Sequence, residues 1–418
     1  MSGARGTTAR RRLRSLGGRT LRKLGLLPGG MADGLGQDAE LLGTTLPHTV
    51  MVFFPDTTGS LYQIEQWYAT FRAVDRVHRL VVVCRDSRTG AAVRRDSGLD
   101  VIVVAHYTTI DDLLSRSHLK VALYVNHNPE NFSNLRFNSL VHASLMHGDS
   151  DKSVSVSNLT KAYDFSFVAG RAAVDRMSAF STFYDAETRC VVVGRPQVDV
   201  QAEARARATR GSGARRTVLY APTWEGPQPS AAYSSVESHG LRLVETFLTA
   251  GWRVIYRPHP LTGAQSSHYG EVDRRIRARV ERARGLGGGH RVDVGNDIAE
   301  SFADADLLVC DVSGVAMDWL PCGRPLIVTV PTSHLVSIAA SPLVAVARSV
   351  SESEIEELPG LACEEVDLDP GAEARARLVE HYLGDTTPGA ATARFVAAVG
   401  RLGQIRDAEA ARLRSSAT

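Results

Sequence analysis

The chain has 418 residues, of which 44% are hydrophobic and 22% charged, so it is long enough for two globular domains. The net charge of +2 hides an asymmetry, because residues 1–30 carry eight basic and no acidic side chains while the remainder is acidic overall. No apolar run reaches the roughly 18 residues of a membrane-spanning helix, and the five cysteines lack metal-binding spacing, which argues against an integral membrane protein and favours a reduced, cytoplasmic compartment.

The first segment, residues 1–45, is basic, and its leucines recur at positions that line one side of a helix. It lacks the continuous apolar stretch of a secretory signal. We expect residues 1–30 to lie on the anionic inner face of the cell membrane as a peripheral arm, where each basic side chain contributes about 1 kcal/mol; the alternative is a solvated tail. Nucleic acid is disfavoured as a partner, because no aromatic residue interleaves the arginines.

Residues 46–200 alternate short apolar runs with helical patterns. Such uninterrupted apolar strands predict a parallel sheet covered by helices on both faces. A loop, rather than a helix, is expected between the second and third strands. The predicted strands are 50–54, 80–84, 101–105, 121–125, 165–169 and 190–193, and the predicted helices are 62–77, 111–117 and 171–180.

A polar, Ala- and Arg-rich linker is predicted at 201–216, and a second α/β domain at 217–387 repeats the alternation. The glycines at 285–289 do not follow a strand and are not a dinucleotide fingerprint. Two doubly wound domains of this kind, facing a central cleft, predict a GT-B-like α/β fold, with a last helical segment at 388–418. The predicted strands are 217–220, 253–256, 307–310 and 326–330, and the helices are 240–250, 269–283 and 297–303.

The stretch 307–325 is typical of a strand, a tight turn and a short helix. Ser313 occupies the N-cap position, and Gly323 occupies the position after the last turn, where glycine is preferred. A helix that begins at the carboxyl end of a parallel strand directs unsatisfied N–H groups towards an anion, and Gly314 permits a close approach. We therefore predict a phosphate site here; the alternative is an ordinary capped helix.

Polar residues also follow the other predicted strands of the second domain. Thr223 lies in a turn after the first strand, and His259 is held between two prolines beside Arg257, where both side chains can donate to phosphate oxygens. Asp311 and Asp318 flank the helix start and can orient a ligand. No carboxylate cluster resembles a magnesium site, so we expect neither a metal nor another cofactor, and the charge of a transferred phosphate must be met by His, Arg and backbone N–H groups.

His147 follows a first-domain apolar run and precedes Gly148. An imidazole titrates near neutral pH, and the glycine permits a close substrate approach, so His147 is a candidate general base. The alternative is a loop histidine that bonds to Asp149 or Asp151.

Four ordered motifs resemble those of the CDP-glycerol glycerophosphotransferases of teichoic acid synthesis, most of all the actinobacterial type. They are His147-Gly148 with Asp149-Ser150-Asp151-Lys152, Tyr220-Ala221-Pro222-Thr223-Trp224, Arg257-Pro258-His259-Pro260, and Asp311-Val312-Ser313-Gly314 ending in Asp318.

This resemblance implies a GT-B fold and metal-independent transfer of glycerol phosphate from CDP-glycerol to a hydroxyl of a lipid-linked acceptor, with release of CMP. It makes His147 the base, with Gly148, Asp149 and Lys152 on the acceptor side. It assigns the diphosphate to His259 and the Ser313-Gly314 helix start, and places Thr223 and Asp318 around the donor.

Two departures leave the donor alcohol open. The family often has Ser-Ser where this chain has Ser313-Gly314, and His-Gly-Thr where it has His147-Gly148-Asp149. Glycerol, ribitol and a sugar all stay possible, as do the acceptor and the oligomeric state. The alternatives are a GT-B glycosyltransferase that uses a nucleotide sugar, a non-catalytic anion-binding membrane adaptor, and an epimerase of similar fold.

Overall fold

The computed structural model describes residues 35–145, 158–207, 215–226, 232–295, 298–330 and 341–416. The predicted membrane arm at 1–30 and the acceptor-side residues His147, Gly148, Asp149 and Lys152 lie outside these ranges. The chain forms two compact units. One comprises Met1–His147, Leu159–Phe167 and Arg394–Thr418, and the other comprises Gly148–Asn158 and Val168–Ala393.

The first sheet has seven strands in the order β3-β2-β1-β4-β5-β6-β7. The first strand in the sequence lies inside the sheet and pairs in parallel with both neighbours, so that Val50 lies opposite Leu80 on one side and Val121 on the other. Every residue of this strand is buried, as expected for a sheet covered on both faces. The strands are β1 (Val50–Phe54), β2 (Leu80–Cys84), β3 (Asp100–Val103), β4 (Val121–Tyr124), β5 (Val141–Ser144), β6 (Phe165–Val168) and β7 (Cys190–Val192).

Helices connect these strands, and a long C-terminal helix follows the second unit. The predicted helix at 171–180 is confirmed, whereas the predicted helix at 62–77 is two helices. The helices up to the second sheet, and the C-terminal one, are α1 (Asp38–Leu41), α2 (Leu61–Glu65), α3 (Tyr68–His78), α4 (Ser87–Ser97), α5 (Tyr107–Arg116), α6 (Glu130–Asn134), α7 (Arg171–Phe180), α8 (Ala186–Arg189), α9 (Pro196–Arg207) and α17 (Ala390–Ser416).

The loop predicted between β2 and β3 is wrong, since α4 occupies that connection. Asp86 caps the helix by accepting from two backbone N–H groups of its first turn, and Gly98, at φ +68°, ends it. Gly90 is required inside the helix, because a Cβ there would lie 2.4 Å from the side chain of Val103 on β3. An interior glycine and a polar surface hid the helical pattern from the sequence.

Part of the predicted linker is also helical. Residues 201–207, expected in the linker at 201–216, form the end of α9, which begins at Pro196. Proline is favoured at the first helical position, and alanine and arginine are strong helix formers, so the composition of this segment stabilises a helix.

The second sheet repeats the order of the first, as β10-β9-β8-β11-β12-β13, with parallel pairs throughout. Alternate residues pack into two cores, Leu219 and Ile255 on one face and Val218 and Val254 on the other. The strands are β8 (Thr217–Ala221), β9 (Arg253–Tyr256), β10 (Arg291–Val292), β11 (Leu307–Cys310), β12 (Leu326–Thr329) and β13 (Arg348–Val350).

Helices connect and flank the strands of this sheet. Gly323 has φ +66°, which confirms the left-handed position predicted for it. The helices are α10 (Leu241–Thr249), α11 (Ser267–Gly285), α12 (Ala299–Asp304), α13 (Gly314–Trp319), α14 (Pro342–Val346), α15 (Leu358–Leu368) and α16 (Ala372–Leu383); 3₁₀ turns lie at Thr58–Ser60, Asn158–Ala162, Leu320–Cys322 and Glu352–Glu354, and a π-helical turn lies at Val236–Gly240.

The described part of the chain contains no helix that combines the length and the apolar character needed to cross a membrane.

Candidate functional site

The candidate site lies at the carboxyl edge of the second sheet. The strands β9, β8 and β11 are neighbours, and their parallel pairing brings all their carboxyl ends to one edge. Thr223, His259 and Ser313 follow these three strands within three residues of their ends. Three of the predicted donor-side residues are therefore gathered at the edge where open α/β sheets bind ligands.

His259 has a fixed ring at this edge. The backbone N–H of Leu261 donates to its Nδ1 at 3.1 Å, so in the neutral ring the proton is on Nε2, which makes that nitrogen a hydrogen-bond donor. The ring is stacked on Trp224, with centroids 6.1 Å apart and planes 19° apart. His259 itself is half-buried. A donor that is already oriented loses little entropy when it binds a phosphate oxygen.

Trp224 and Trp319 lie in different environments. Trp319 is fully buried, whereas Trp224 is partly exposed and supports the His259 ring. A Pro-Thr-Trp turn gives no sequence signal that separates these two roles, because the stacking partner comes from another strand.

Glu225 holds the loop that carries His259, a role that no sequence pattern indicated. Its carboxylate accepts from the backbone N–H groups of Gly263, Gln265 and Ser266 at 3.0, 2.9 and 3.1 Å. It is only 7% exposed. Three charge-assisted bonds therefore fasten the segment after β9 to the turn after β8.

Asp311 is a fully buried carboxylate at the centre of the edge. It accepts from the backbone N–H of Thr223 at 2.7 Å, from that of Ser235 at 3.2 Å and from the hydroxyl of Thr329. Burial raises its pKa above the ordinary value, against the opposing effect of these donors. The sequence predicts Asp311 as a donor-side residue that can orient a ligand, and the structure gives its carboxylate partners on three surrounding segments, through which it positions Thr223.

Arg257, predicted as a phosphate ligand, donates through Nη1 to the carboxylate of Asp293 at 2.7 Å. The hydroxyl of Ser301 also donates to this carboxylate. Burial opposes the ionisation of Asp293, but the Ser301 hydroxyl and the Arg257 guanidinium outweigh it and hold its pKa below the ordinary value. The structure thus orients Arg257 by an ion pair that the sequence analysis did not foresee.

Asp318, on α13, forms an ion pair with Arg195. The guanidinium binds both carboxylate oxygens, with Nη2 to Oδ2 at 2.9 Å, and the two side chains are 8% and 14% exposed. Arg195 directly precedes α9 and lies 123 residues before Asp318. Arg195 lies outside the four motifs that carry the family resemblance and was not among the predicted site residues.

Ser313 occupies the N-cap position of α13, as predicted, but its side chain makes no capping bond. The residue is 7% exposed, and its Oγ is buried and has no hydrogen-bond partner in the described ranges. Leaving a buried hydroxyl unpaired costs about 1–3 kcal/mol. The hydroxyl at the start of α13, next to the partly exposed Gly314, is therefore a group that a ligand oxygen can satisfy.

On the acceptor side, β5 ends at Ser144, three positions before His147 in the sequence. His147, Gly148, Asp149 and Lys152 are outside the described residues, and their roles stay predictions. Among the residues that are described, no group of three or more His, Cys, Asp or Glu side chains is arranged to hold a metal ion.

Comparison with protein families gives a match over residues 97–334, which is more than half of the chain. The matching family is described as "CDP-Glycerol:Poly(glycerophosphate) glycerophosphotransferase". No curated protein sequence matches the chain.

Solved structures show the same fold at low identity. A glycosyltransferase from Rickettsia africae ESF-5 aligns with a TM-score of 0.53 at 9% identity, over 85% of this chain and 98% of its own. A variant of the wall teichoic acid polymerase TagF soaked with CDPG aligns with a TM-score of 0.51 at 14% identity, over 97% of this chain and 99% of its own. The S. aureus MnaA-UDP structure aligns with a TM-score of 0.53 at 12% identity, over 84% of this chain and 95% of its own.

These structural likenesses confirm the predicted GT-B-like α/β class, and the predicted cleft between the domains stays a prediction. The family match confirms the resemblance that the four motifs indicated. The chain belongs to the CDP-glycerol:poly(glycerophosphate) glycerophosphotransferase family and is an enzyme of this transferase class.

Proposed function

We propose that this enzyme transfers glycerol phosphate from CDP-glycerol to a hydroxyl of a lipid-linked, teichoic-acid-like acceptor and releases CMP. Family membership supports the donor and the type of reaction. The acceptor, the product CMP and the roles of individual residues are parts of the proposal.

The observation that carries the proposal is the fixed ring of His259. A donor diphosphate needs hydrogen-bond donors at the oxygens that gain charge when the bond between the two phosphates breaks. The Leu261 N–H on Nδ1 makes Nε2 such a donor, and the stack on Trp224 fixes the plane of the ring. The hydroxyl of Ser313, which has no hydrogen-bond partner among the described residues, supplies a second donor after β11, two strands along the sheet from β9.

In the proposed reaction the acceptor hydroxyl attacks the phosphorus that bears glycerol. Its proton passes to His147, the base that the family resemblance implies, as the new P–O bond forms. The bond from this phosphorus to the bridging oxygen breaks, and CMP leaves with the electron pair. His259 and Ser313 stabilise the charge on the departing phosphate, and catalysis rests on positioning and charge stabilisation.

The membrane association of the enzyme is a separate part of the proposal. The eight basic side chains in residues 1–30 favour an anionic leaflet, where a lipid-linked acceptor is located. Removal of residues 1–30 should lower sedimentation with phosphatidylglycerol vesicles while CMP release with a water-soluble acceptor persists. Unchanged sedimentation would refute the arm.

The test of the function is CMP release from a panel of CDP-alcohols and nucleotide sugars, with and without EDTA. We expect CMP from CDP-glycerol, no effect of EDTA, and loss of turnover in His147→Ala with donor binding nearly intact. Release of a nucleoside diphosphate from a nucleotide sugar would instead support the alternative glycosyltransferase. Vesicle binding without any nucleotide product would support the non-catalytic adaptor.

A further inference from the structure

The first unit contains a pair of arginines on one tyrosine ring that the proposed chemistry has not used. The guanidinium carbon of Arg85 lies 4.0 Å from the ring centroid of Tyr107, and that of Arg136 lies 4.8 Å from the same centroid. Arg85 directly follows β2, and Tyr107 begins α5 after β3. Both therefore lie at the carboxyl edge of the first sheet, where parallel sheets bind ligands.

Arg85 is buried without enough partners. It is 6% exposed, and its Nε and Nη1 have no hydrogen-bond partner among the described residues. Its nearest carboxylate is that of Glu130, 3.8 Å from Nη2, and this carboxylate also accepts from the Tyr107 hydroxyl at 2.9 Å. A buried cation with two unmet N–H donors is costly unless an acceptor reaches it.

Arg136 is the solvent-exposed member of the pair of arginines. Its side chain is exposed, lies over Tyr107 and over Phe137 at 4.9 Å, and has no carboxylate within ion-pair distance in the described part of the chain. The two arginines and Glu130 together carry one net positive charge. Planar guanidinium groups bind phosphate oxygens by paired N–H donors, which a lysine does not reproduce.

We propose that Arg85 and Arg136, arranged on Tyr107, form a subsite for a phosphodiester of the acceptor polymer. The inference rests on the proposed function for the identity of the ligand, because a teichoic-acid-like acceptor carries phosphodiesters along its length. The subsite recognises the polymer that receives the glycerol phosphate and does not contact the CDP-alcohol.

The first experiment measures binding to the whole chain by calorimetry. The probes are a short phosphodiester-linked glycerol phosphate oligomer, a neutral glycerol oligomer of equal length, and phosphatidylglycerol vesicles. Of the three probes, we expect only the charged oligomer to bind through the two arginines. Its affinity should be about tenfold lower in Arg136→Gln and in Arg85→Lys. Arg95→Gln is the matched control, since Arg95 is exposed and bonds to the neighbouring Asp96.

Equal oligomer affinity in Arg136→Gln, Arg85→Lys and the control would overturn the inference. Weaker vesicle binding with unchanged oligomer binding would also overturn it, since the ligand would then be a lipid headgroup. Arg136→Gln changes an exposed residue, so it remains informative if substitution of the buried Arg85 prevents folding.

The second experiment separates this inference from the proposed function. In CMP-release assays, both variants should raise the KM for a phosphodiester-bearing acceptor about tenfold and leave the KM for CDP-glycerol unchanged. If the unaltered chain releases no CMP, the proposed function fails, while the calorimetry still decides the subsite. If CMP is released but both variants bind and react normally, the subsite fails alone.

Discussion

The role of His259 predicts a contrast between two substitutions that each remove one ring nitrogen. Asparagine can place its amide oxygen near Nδ1 and continue to accept from Leu261, but it has no group at the Nε2 position. Glutamine can place its amide N–H near Nε2, but it loses the acceptor at Nδ1. The fixed geometry at 3.1 Å thus allows the loop bond and the phosphate donor to be removed separately.

The expected magnitude follows from the bond that each variant loses. A hydrogen bond to a charged group contributes about 1.5–3 kcal/mol, so His259→Asn should bind CDP-glycerol roughly 10- to 150-fold more weakly. Loss of a donor to charge that develops in the transition state costs about 10²–10³ in kcat. His259→Gln should keep most of the affinity, and His259→Ala should lose both the donor and the stack on Trp224.

Calorimetry with CDP-glycerol and initial rates of CMP release measure these effects, and thermal unfolding controls for loss of the Leu261 bond. We predict that His259→Asn has near-normal stability and binds CDP-glycerol weakly. Normal donor affinity and normal kcat in His259→Asn would refute the role of Nε2. Equal losses in the Asn and Gln variants would show that ring shape, and not the donor, matters.

Three further predictions concern the residues around the site. Arg195→Gln should lower the free energy of unfolding by about 3–5 kcal/mol in denaturant titrations, because it leaves the mostly buried carboxylate of Asp318 without its ion-pair partner. The double variant Arg195→Gln with Asp318→Asn should recover part of this loss, and a double variant in which the two losses simply add would contradict the ion pair. Glu225→Ala should speed hydrogen exchange of the three N–H groups that it binds, with CDP-glycerol affinity reduced, and unchanged exchange would contradict its anchoring role. Because the pKa of Asp293 is lowered in the folded chain, ionised Asp293 stabilises the fold at pH values above the ordinary aspartate pKa, and this stabilisation is lost as pH falls through the lowered pKa. The difference in the free energy of unfolding between the unaltered chain and Asp293→Asn should therefore shrink below about pH 4. A difference that does not depend on pH would contradict the Arg257 pairing.

Most strands could be predicted from the sequence, because both faces of a parallel sheet are buried and each strand is then a continuous apolar run. The predicted bounds of β1, β2, β9 and β11 are those of the structure. The bounds of the strand β5 were not predicted, because its residues include His142 and Ser144. The imidazole of His142 is buried against the hydroxyl of Tyr124 at 2.8 Å, a long-range partner that makes a polar residue acceptable inside a sheet.

The positions of the site residues could be predicted from the sequence, but their ion pairs and hydrogen bonds could not. Residues after the strands β8, β9 and β11 were named correctly as lying at one edge, since parallel topology fixes that edge. Ion pairs such as Arg195 with Asp318 join segments far apart in sequence, and no local pattern encodes them. The same holds for Glu225, whose carboxylate accepts from backbone N–H groups, and these bonds therefore leave no trace in side-chain chemistry.

The central claim is that the group transferred is glycerol phosphate, and mass spectrometry of the acceptor tests it most directly. Incubation with CDP-glycerol should increase the acceptor mass by one glycerol phosphate for each CMP released, and His147→Ala should abolish both signals. An acceptor that gains a hexose from a nucleotide sugar, or that gains nothing while CMP is released, would contradict the account.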